Sequence, residues 1–306
     1  MSTPAEERAA NLALEPMRPA GARLGFFRGT AQSVRDIVGK RELLGLLVRR
    51  EMKAKYKDSA LGFLWTLIRP LAMLLIYWIA LGKFLEAERH IPSFAIFIYS
   101  GLTAWTLHSE IVSIGSSSIV ANSGLIKKVY LPREVFPLAV VGSAIVNFSF
   151  QMVILIGATA VSRQLPLGTR WLYFPLSLLV LIIFATALAL LLSAVNVYLR
   201  DVQYLVEVAL LIFFWASPIV YSWRLVTGAL DTAGLSGTWV EDVYLANPMT
   251  LVVLGFQQTF WVAGDAQPVP PDLGARLGLA LAVGVVLLWL CQRVFARLQS
   301  NFAQEL

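Results

Sequence analysis

The fold is decided by the stretch from Trp171 to Val197, which reads WLYFPLSLLVLIIFATALALLLSAVNV. It contains no charged side chain, and it is longer than the roughly 20 residues that an α-helix needs to cross the hydrocarbon of a bilayer. Only helices and closed barrels satisfy their backbone hydrogen bonds inside lipid. No alternating strand pattern of the barrel type occurs along the chain. The stretch therefore predicts a transmembrane helix in an all-α membrane protein.

The composition extends this prediction to the whole chain. Of its 306 residues, 58% are hydrophobic and 14% are charged, and the mean hydropathy is +0.69. Soluble domains are about half apolar and about a quarter charged, so this chain is shifted strongly toward lipid. Six transmembrane helices are predicted, of which the fifth carries Glu207 near its start. The predicted spans are Leu61–Leu85, Phe94–Ile111, Phe136–Val161, Trp171–Val197, Tyr204–Tyr221 and Leu277–Phe295.

Positive charges predict how the chain is oriented. Lys and Arg side chains concentrate in residues 1–60, in the connection 113–134, at Arg200 and in the C-terminal tail. The long connection 222–273 is instead acidic. Cytoplasmic connections carry an excess of Lys and Arg, so we expect a multi-pass protein of the bacterial cytoplasmic membrane with both termini in the cytoplasm.

The chain divides into three parts. Residues 1–36, which contain three prolines, predict a polar cytoplasmic tail. Residues 37–58 predict an amphipathic interface helix that lies in the headgroup layer, while the remainder, 59–306, forms a single transmembrane domain. The alternative is that the charges of this helix only anchor the first span to anionic lipid. The basic face of the predicted interface helix is formed by Arg49, Lys53 and Lys57.

The connection 222–273 contains an apolar run from Tyr244 to Ala263. Asn247-Pro248 and Gln257-Gln258 interrupt this run, and a full crossing here would place the C-terminus outside, against the charge pattern. We therefore predict two re-entrant half-helices on the outer face, between transmembrane helices 5 and 6.

Residues suited to catalysis or metal binding are scarce. The phosphate-binding P-loop is missing, because Arg41 follows Gly39-Lys40 where the motif requires Ser or Thr. Cys291 is the single cysteine, and His90 and His108 have no clustered ligands beside them. The run 115–118, GSSS, is better explained as small residues at a helix end than as a nucleophile. We expect no catalytic residue, metal or cofactor on this chain, and membrane lipid rather than nucleic acid as a partner.

Three stretches on the predicted cytoplasmic side carry a family resemblance. They are KYKDSALGFLW from Lys55 to Trp65, NSGLIKKVYLPREVFP from Asn122 to Pro137, and NVYLRDV from Asn196 to Val202. In combination they resemble the signature stretches of the permease subunit of type-two ABC exporters, in the Wzm-like polysaccharide and teichoic-acid export group. The resemblance runs from about residue 40 to the C-terminus.

The resemblance implies a homodimer that binds two copies of a cytoplasmic ATPase subunit, which holds ATP and Mg. It also implies that residues 122–134 form a coupling helix and that the paired permeases enclose a channel for a polyprenyl-linked glycan. A short surface helix with exposed cations is suited to docking into a groove of a soluble partner. The predicted ATPase-coupling residues are Lys127, Lys128, Tyr130, Pro132, Arg133, Glu134, Arg200 and Asp201.

Aromatic residues predict where the glycan passes, because sugar rings pack their C–H faces on aromatic planes and Tyr and Trp add a polar handle. The alternative for these residues is an interfacial aromatic belt. The predicted substrate path includes Arg69, whose charge is costly in lipid and is expected to face the dimer interior or a cavity. Its aromatic members are Phe213, Trp215, Tyr244, Phe256, Phe260 and Trp261. O-antigen, teichoic acid and galactan all remain open as cargo. An ion-coupled lipid or glycan flippase is the main alternative function, and a membrane glycosyltransferase or acyltransferase is the third.

Overall fold

The computed structural model describes residues 26–56, 64–128 and 131–306. Every regular element within these ranges is a helix, which confirms the predicted all-α class. Lys57 and Tyr130, two of the predicted site residues, lie outside the described ranges.

The α-helices of the described residues are numbered in chain order. The first seven are α1 Phe26–Gly39, α2 Arg41–Tyr56, α3 Trp65–Tyr77, α4 Phe94–Ala121, α5 Ser123–Ile126, α6 Val135–Val161 and α7 Tyr173–Tyr198. The others are α8 Val202–Trp215, α9 Trp223–Thr232, α10 Trp239–Ala246, α11 Pro248–Phe260, α12 Leu273–Leu298 and α13 Phe302–Glu305. A π-helical segment, Trp78–Phe84, extends α3, and short 3-10 turns cover Ala87–Arg89, Gly168–Leu172, Val262–Gly264 and Gln299–Asn301.

In the described part of the chain, four helical segments are long and apolar enough to cross a bilayer: Leu67–Phe84, Val135–Val161, Gly168–Tyr198 and Leu273–Asn301. They coincide with predicted spans one, three, four and six. The helix of the second span, α4, is equally long but carries more polar side chains. The fifth ends at Trp215 rather than Tyr221, because the residue before a proline, here Ser217 before Pro218, disfavours the helical conformation. The count of six spans therefore stays a prediction.

α4 occupies the centre of the helix bundle. Nearly every side chain in its first half is buried, and it packs against α6, α7, α8 and α11. Ser100 Oγ donates to the Phe97 carbonyl and Thr103 Oγ1 donates to the Tyr99 carbonyl, each at 2.7 Å, so these two hydroxyl groups are satisfied within the helix. Because protein rather than lipid covers this helix, it tolerates the polar side chains that lower its hydropathy.

α4 and α7 approach each other closely at Gly115. A Cβ atom at this position would lie 2.7 Å from the Cβ of Ala189. One residue further, the Ser116 carbonyl accepts a hydrogen bond from Asn196 Nδ2 at 3.1 Å. The run 115–118 is therefore a helix-packing surface made of small residues. It lies inside α4 rather than at a helix end, since α4 continues to Ala121.

Residues 26–36 of the predicted polar tail are helical and belong to α1. The cytoplasmic position of the tail stays a prediction. α1 packs against α12, where Trp289 Nε1 donates to Thr30 Oγ1 at 3.1 Å. This contact with a distant part of the sequence stabilises a helix that local sequence patterns did not indicate.

The second N-terminal helix, α2, lies within the predicted range 37–58. Its Leu47 is only 5% exposed, and a Cβ atom at Gly142 of α6 would lie 2.7 Å from Val48 Cγ2. The apolar face of α2 therefore packs on protein. Arg49 and Lys53 are exposed, as the amphipathic pattern predicted.

Between α8 and α12 the chain forms α9, α10 and α11. The predicted break at Asn247-Pro248 is confirmed: Asn247 Oδ1 accepts from the Met249 N–H at 3.0 Å, and Pro248 stands at the start of α11, where its missing N–H costs nothing. No break occurs at Gln257-Gln258, because α11 continues to Phe260. α11 packs against α4 and α7 and buries almost all of its side chains. Its re-entrant position stays a prediction.

The contact at Gly115 can be tested by thermal unfolding of the purified protein in detergent. Gly115→Ala should destabilise the fold by about 1–3 kcal/mol, since the added methyl group overpacks the contact with α7. Adding Ala189→Gly should recover much of this loss. Gly157→Ala is the matched control, because nothing lies within 4 Å of a Cβ at that position of α6. Equal thermal unfolding midpoints for the Gly115→Ala and Gly157→Ala variants would contradict the close approach of α4 and α7 at Gly115.

Candidate functional site

The connections between helices collect at two ends of the bundle. At one end lie α2, the described residues of 122–134, the turn 199–201 and residues 293–306, and we call this the basic end. Tyr198 donates its hydroxyl to the Leu298 carbonyl at 2.8 Å, which ties the end of α7 to the end of α12. The basic end unites the predicted coupling residues that the structure describes.

The opposite end gathers the remaining connections. Trp261 Nε1, just after α11, donates to the Pro92 carbonyl before α4 at 2.6 Å. Arg170, before α7, pairs with Asp265. The alternation of ends agrees with the predicted topology, but which end faces the cytoplasm stays a prediction.

The segment 122–134 is not a single helix. Among its described residues, only Ser123–Ile126 is helical, and the buried side chain of Ile126 anchors this turn. Lys127 and Lys128 follow in an exposed turn, whereas Pro132 and Arg133 are half-buried. The predicted helix is shorter than expected because α4 ends at Ala121 and the chain must turn before α6 begins at Val135. The two lysines are the described residues of this segment that offer exposed positive charge to a partner.

Arg50 links α2 to this segment, a role that the sequence pattern missed. Its guanidinium donates to Asn122 Oδ1 and pairs with Glu51 at 2.7 Å. Asn122 Nδ2 in turn donates to the Ser118 carbonyl at 2.8 Å. The amphipathic pattern predicted only Arg49, Lys53 and Lys57 on the basic face. It did not indicate Arg50, because the partner Asn122 lies 72 positions away along the chain.

Glu134 is a buried structural residue rather than an exposed docking residue. Its side chain sits at the start of α6, 3% exposed, and Gln299 Nε2 donates to its Oε1 at 3.4 Å. Burial raises the pKa of this carboxyl, and the charge of nearby Arg293 partly opposes the shift. Arg133 places its guanidinium 5.6 Å from the ring centre of Phe302 in α13. These contacts connect the predicted coupling segment to the C-terminal residues.

Arg200 and Asp201 also lie at the basic end, in the turn before α8. Both side chains are exposed, and no ion pair joins them within the described ranges. They are therefore available to a partner together with Lys127 and Lys128.

A polar contact inside the bundle connects α4 and α6. Asn147 Nδ2 donates to Glu110 Oε1 at 2.7 Å, and Asn147 is 2% exposed. Glu110 therefore faces protein rather than lipid, which satisfies a group that is costly in a membrane interior. Ser143 and Gln151, one turn on either side of Asn147, are buried as well.

Two of the predicted path aromatics point outward from α8. Phe213 is 49% exposed and Trp215 is 54% exposed. Phe214 between them is buried and stacks on Tyr77 of α3, with ring centres 6.1 Å apart. This contact holds α3 beside α8, and Arg69 is exposed on α3. We call the outward surface of these two helices the α3–α8 face.

The aromatics of α11 do not line a path in this conformation, which corrects the prediction for them. Phe256 and Phe260 have no exposed surface, and the ring of Phe174 lies 5.6 Å and 5.4 Å from their rings. Trp261 is 8% exposed and packs edge-on against Phe97 at 4.8 Å. The two phenylalanines share a helix face as their spacing predicted, but that face is turned into the core. In this conformation the two side chains therefore offer no exposed surface for a substrate to contact.

Tyr244 is the remaining member of the predicted path. It is half-buried, and its hydroxyl lies 3.2 Å from that of Tyr221. Within the described ranges, no three His, Cys, Asp or Glu side chains form a group that would hold a metal ion.

Comparison with known proteins identifies relatives along most of the chain. The profile of the family described as ABC-2 type transporter matches residues 42–261. The O-antigen export system permease protein RfbA of Myxococcus xanthus is 32% identical over 276 residues, which cover 89% of this chain and 98% of the relative. An RfbA of Klebsiella pneumoniae is 26% identical over 266 residues, 87% of this chain and 95% of the relative.

A second group of relatives matches a shorter part. The polysialic acid transport protein KpsM of Escherichia coli is 33% identical over 79 residues, which are 26% of this chain and 31% of the relative. The capsule polysaccharide export inner-membrane protein CtrC of Neisseria meningitidis is 34% identical over 87 residues, or 27% and 32% of the two chains. With a family match over more than half of its length, this chain belongs to the ABC-2 type transporter family.

Proposed function

We propose that this chain is the permease of an ATP-driven exporter that carries a polyprenyl-linked polysaccharide across the bacterial cytoplasmic membrane. Family members are permease subunits of ABC transporters, which are transport components that work with an ATP-binding subunit. The observation that carries the proposal is the similarity to an O-antigen export permease over 98% of that relative's length. Among the cargo classes left open by the sequence, an O-antigen-type polysaccharide is therefore the best supported.

The basic end supports docking of the ATP-binding subunit. Lys127, Lys128 and Arg200 present positive charge at one end of the bundle, and Asp201 adds an exposed acid beside them. Exposed charges of this kind steer a partner of complementary charge and fix its orientation. Their anchors are buried, since Ile126 and Glu134 flank the lysine turn on either side. A force applied to the turn would therefore reach α4 and α6.

The α3–α8 face supports pairing of two permeases around a shared path. α8 exposes Phe213, Trp215 and Glu207, and α3 exposes Arg69. A charged residue in a transmembrane segment is costly against lipid and is better placed against protein or a water-filled cavity. We therefore assign this face to the homodimer interface and to the wall of the path, with Phe213 and Trp215 as the contacts for sugar rings.

One observation favours the ion-coupled flippase, namely the buried Glu110–Asn147 contact between α4 and α6. A carboxyl group inside a bundle is the kind of group that carries protons in transporters. Export driven by ATP in the presence of a protonophore would exclude that alternative. Export that stops when the proton gradient is dissipated at constant ATP would favour it.

The docking proposal predicts the behaviour of the variant Lys127→Ala with Lys128→Ala. The protein should insert and fold, because both side chains are exposed. The variant should stimulate ATP hydrolysis by the copurified ATP-binding subunit about tenfold less than the wild-type permease does, or less still. A loss of this size is expected when interface side chains that carry binding energy are removed. Arg163→Ala, an exposed cation at the opposite end, is the control and should behave as wild type. If the lysine variant assembles with the ATP-binding subunit and stimulates ATP hydrolysis as the wild type does, Lys127 and Lys128 do not form the docking site.

The path proposal predicts an effect of Phe213→Leu with Trp215→Leu. Leucine keeps the surface compatible with lipid but removes the aromatic planes, so polymer export per permease should fall about tenfold, from roughly 0.5–1.5 kcal/mol per aromatic contact. The control is Trp239→Leu, which alters an exposed aromatic of α10. Export of the double variant at the wild-type level would identify the pair as an ordinary interfacial belt.

A further inference from the structure

The chain that follows α12 lies against the segment that carries the lysine turn. α12 ends at Leu298, a 3-10 turn covers Gln299–Asn301, and α13 follows at Phe302–Glu305. We call residues 299–306 the C-terminal hook. The Tyr198 hydroxyl donates to the Leu298 carbonyl at 2.8 Å, so the start of the hook is fixed to the end of α7.

Phe302 anchors the hook in the core. Its side chain has no exposed surface, and its ring meets those of Phe295 in α12 and Tyr198 in α7 edge-on, with ring centres 5.6 Å and 6.3 Å away. Phe302 also belongs to the same buried apolar cluster as Ile126 and Val135, which lie before and after the lysine turn. The hook therefore shares its core with both flanks of that turn.

Two polar contacts join the hook to the residues that follow the lysine turn. The Arg133 guanidinium lies 5.6 Å from the ring centre of Phe302, a distance at which a cation is attracted to the face of an aromatic ring. Gln299 Nε2 donates to Glu134 Oε1 at 3.4 Å, and the charge of Arg293 in α12 acts on the same carboxyl. The hook therefore holds two consecutive residues, 133 and 134, on the far side of the turn.

A turn with two exposed lysines does not by itself fix where its charges lie. Long side chains on a free turn must be ordered when a partner binds, and this ordering costs free energy. A turn whose flanks are already held loses less freedom, and a displacement of such a turn is passed on to its anchors. Because the hook joins residues 133 and 134 to α7 and α12, it extends this connection beyond α4 and α6.

We propose that the C-terminal hook is a positioning element that holds the lysine turn in the orientation engaged by the ATP-binding subunit and passes its displacement to α7 and α12. The inference rests on the proposed function, since it requires docking at Lys127 and Lys128. Phe302 is the central positioning residue, because its ring joins Arg133 to both helices. The alternative is that Phe302 only fills the core, in which case its replacement would loosen the whole bundle rather than this turn.

The first measurement is the mobility of a nitroxide spin label at position 128 in the purified full-length permease, without the ATP-binding subunit. The label is attached through Lys128→Cys in a Cys291→Ser background, and a second label through Arg163→Cys reports on the opposite end of the bundle. Electron paramagnetic resonance spectra then give the ratio of mobile to immobile label at each position.

Two variants weaken the hook in different ways. Phe302→Leu keeps an apolar side chain in the cluster but removes the ring that faces Arg133, whereas Arg133→Gln removes the cation and leaves the cluster unchanged. Each should raise the mobile-to-immobile ratio at position 128 about two- to fivefold, the factor that corresponds to one cation–aromatic contact, and neither should change it at position 163.

Two control variants should leave the label at position 128 as in the wild type. Phe148→Leu makes the same substitution at a phenylalanine of α6 that is 5% exposed and lies away from the basic end. Gln304→Ala alters an exposed side chain of α13 itself. The first control removes a core aromatic ring without touching the hook, and the second changes the hook without touching its contacts.

The second measurement uses the complete exporter. In the Phe302→Leu variant the ATP-binding subunit should still copurify, because Lys127 and Lys128 are both present. Polymer export per ATP hydrolysed should nevertheless fall about two- to fivefold, since the same contact is lost. A variant that is merely less stable lowers the amount of folded permease but leaves this ratio at the wild-type value.

Several outcomes overturn the proposal. Unchanged mobility at position 128 in both hook variants would exclude a held turn, and an equal increase at positions 128 and 163 would show a loosened bundle instead. Raised mobility at position 128 with wild-type export per ATP would contradict transmission through the hook. Failure of the proposed function is recognised separately, because the wild-type chain would then neither copurify with an ATP-binding subunit nor restore export in a strain that lacks the gene, whatever the label reports.

Discussion

The packing of α4 against α6 and α7 is the contact on which the rest of the structure depends. This packing requires small residues, because a Cβ atom at position 115 would lie only 2.7 Å from the Cβ of Ala189. Helices in a membrane associate through such close contacts, since burying apolar surface gains little where the solvent is itself apolar. α4 also connects the two ends of the bundle. Its end at Ala121 leads into the lysine turn, and its start follows Pro92, whose carbonyl accepts a hydrogen bond from Trp261 Nε1.

Buried polar contacts add directionality to this packing. The bundle has Asn147 and Glu110 between α4 and α6, Asn196 and the Ser116 carbonyl between α7 and α4, and Gln299 beside Glu134 at the basic end. Each contact has a defined partner, so a sliding of one helix against another would leave a polar group unsatisfied at a cost of about 1–3 kcal/mol. The bundle is therefore expected to move as a unit, with the connections at its two ends as the parts that respond to partners.

Sequence patterns predicted the long apolar helices, because a run of about 20 apolar residues is by itself sufficient to indicate a transmembrane helix. They predicted the side-chain environment of α11 poorly. Phe256 and Phe260 share one face as predicted, but α11 is apolar on nearly all sides, so its pattern does not indicate which face meets the core. The same limit applies to Arg50 and Glu134, whose partners Asn122 and Gln299 are identified only once the chain is folded. The family motifs predicted a set of coupling residues that lie at one end of the bundle, but they did not indicate which of these residues are exposed.

We propose that the ATP-binding subunit docks at the lysine turn of the basic end. This docking is tested most directly by placing a photo-crosslinking amino acid at position 128 and, separately, at position 163, and irradiating cells that express the complete exporter. We expect a covalent adduct between the permease and the ATP-binding subunit from position 128 and none from position 163, because these positions lie at opposite ends of the bundle. An adduct from position 163, or none from position 128 in cells that export polymer normally, would contradict it.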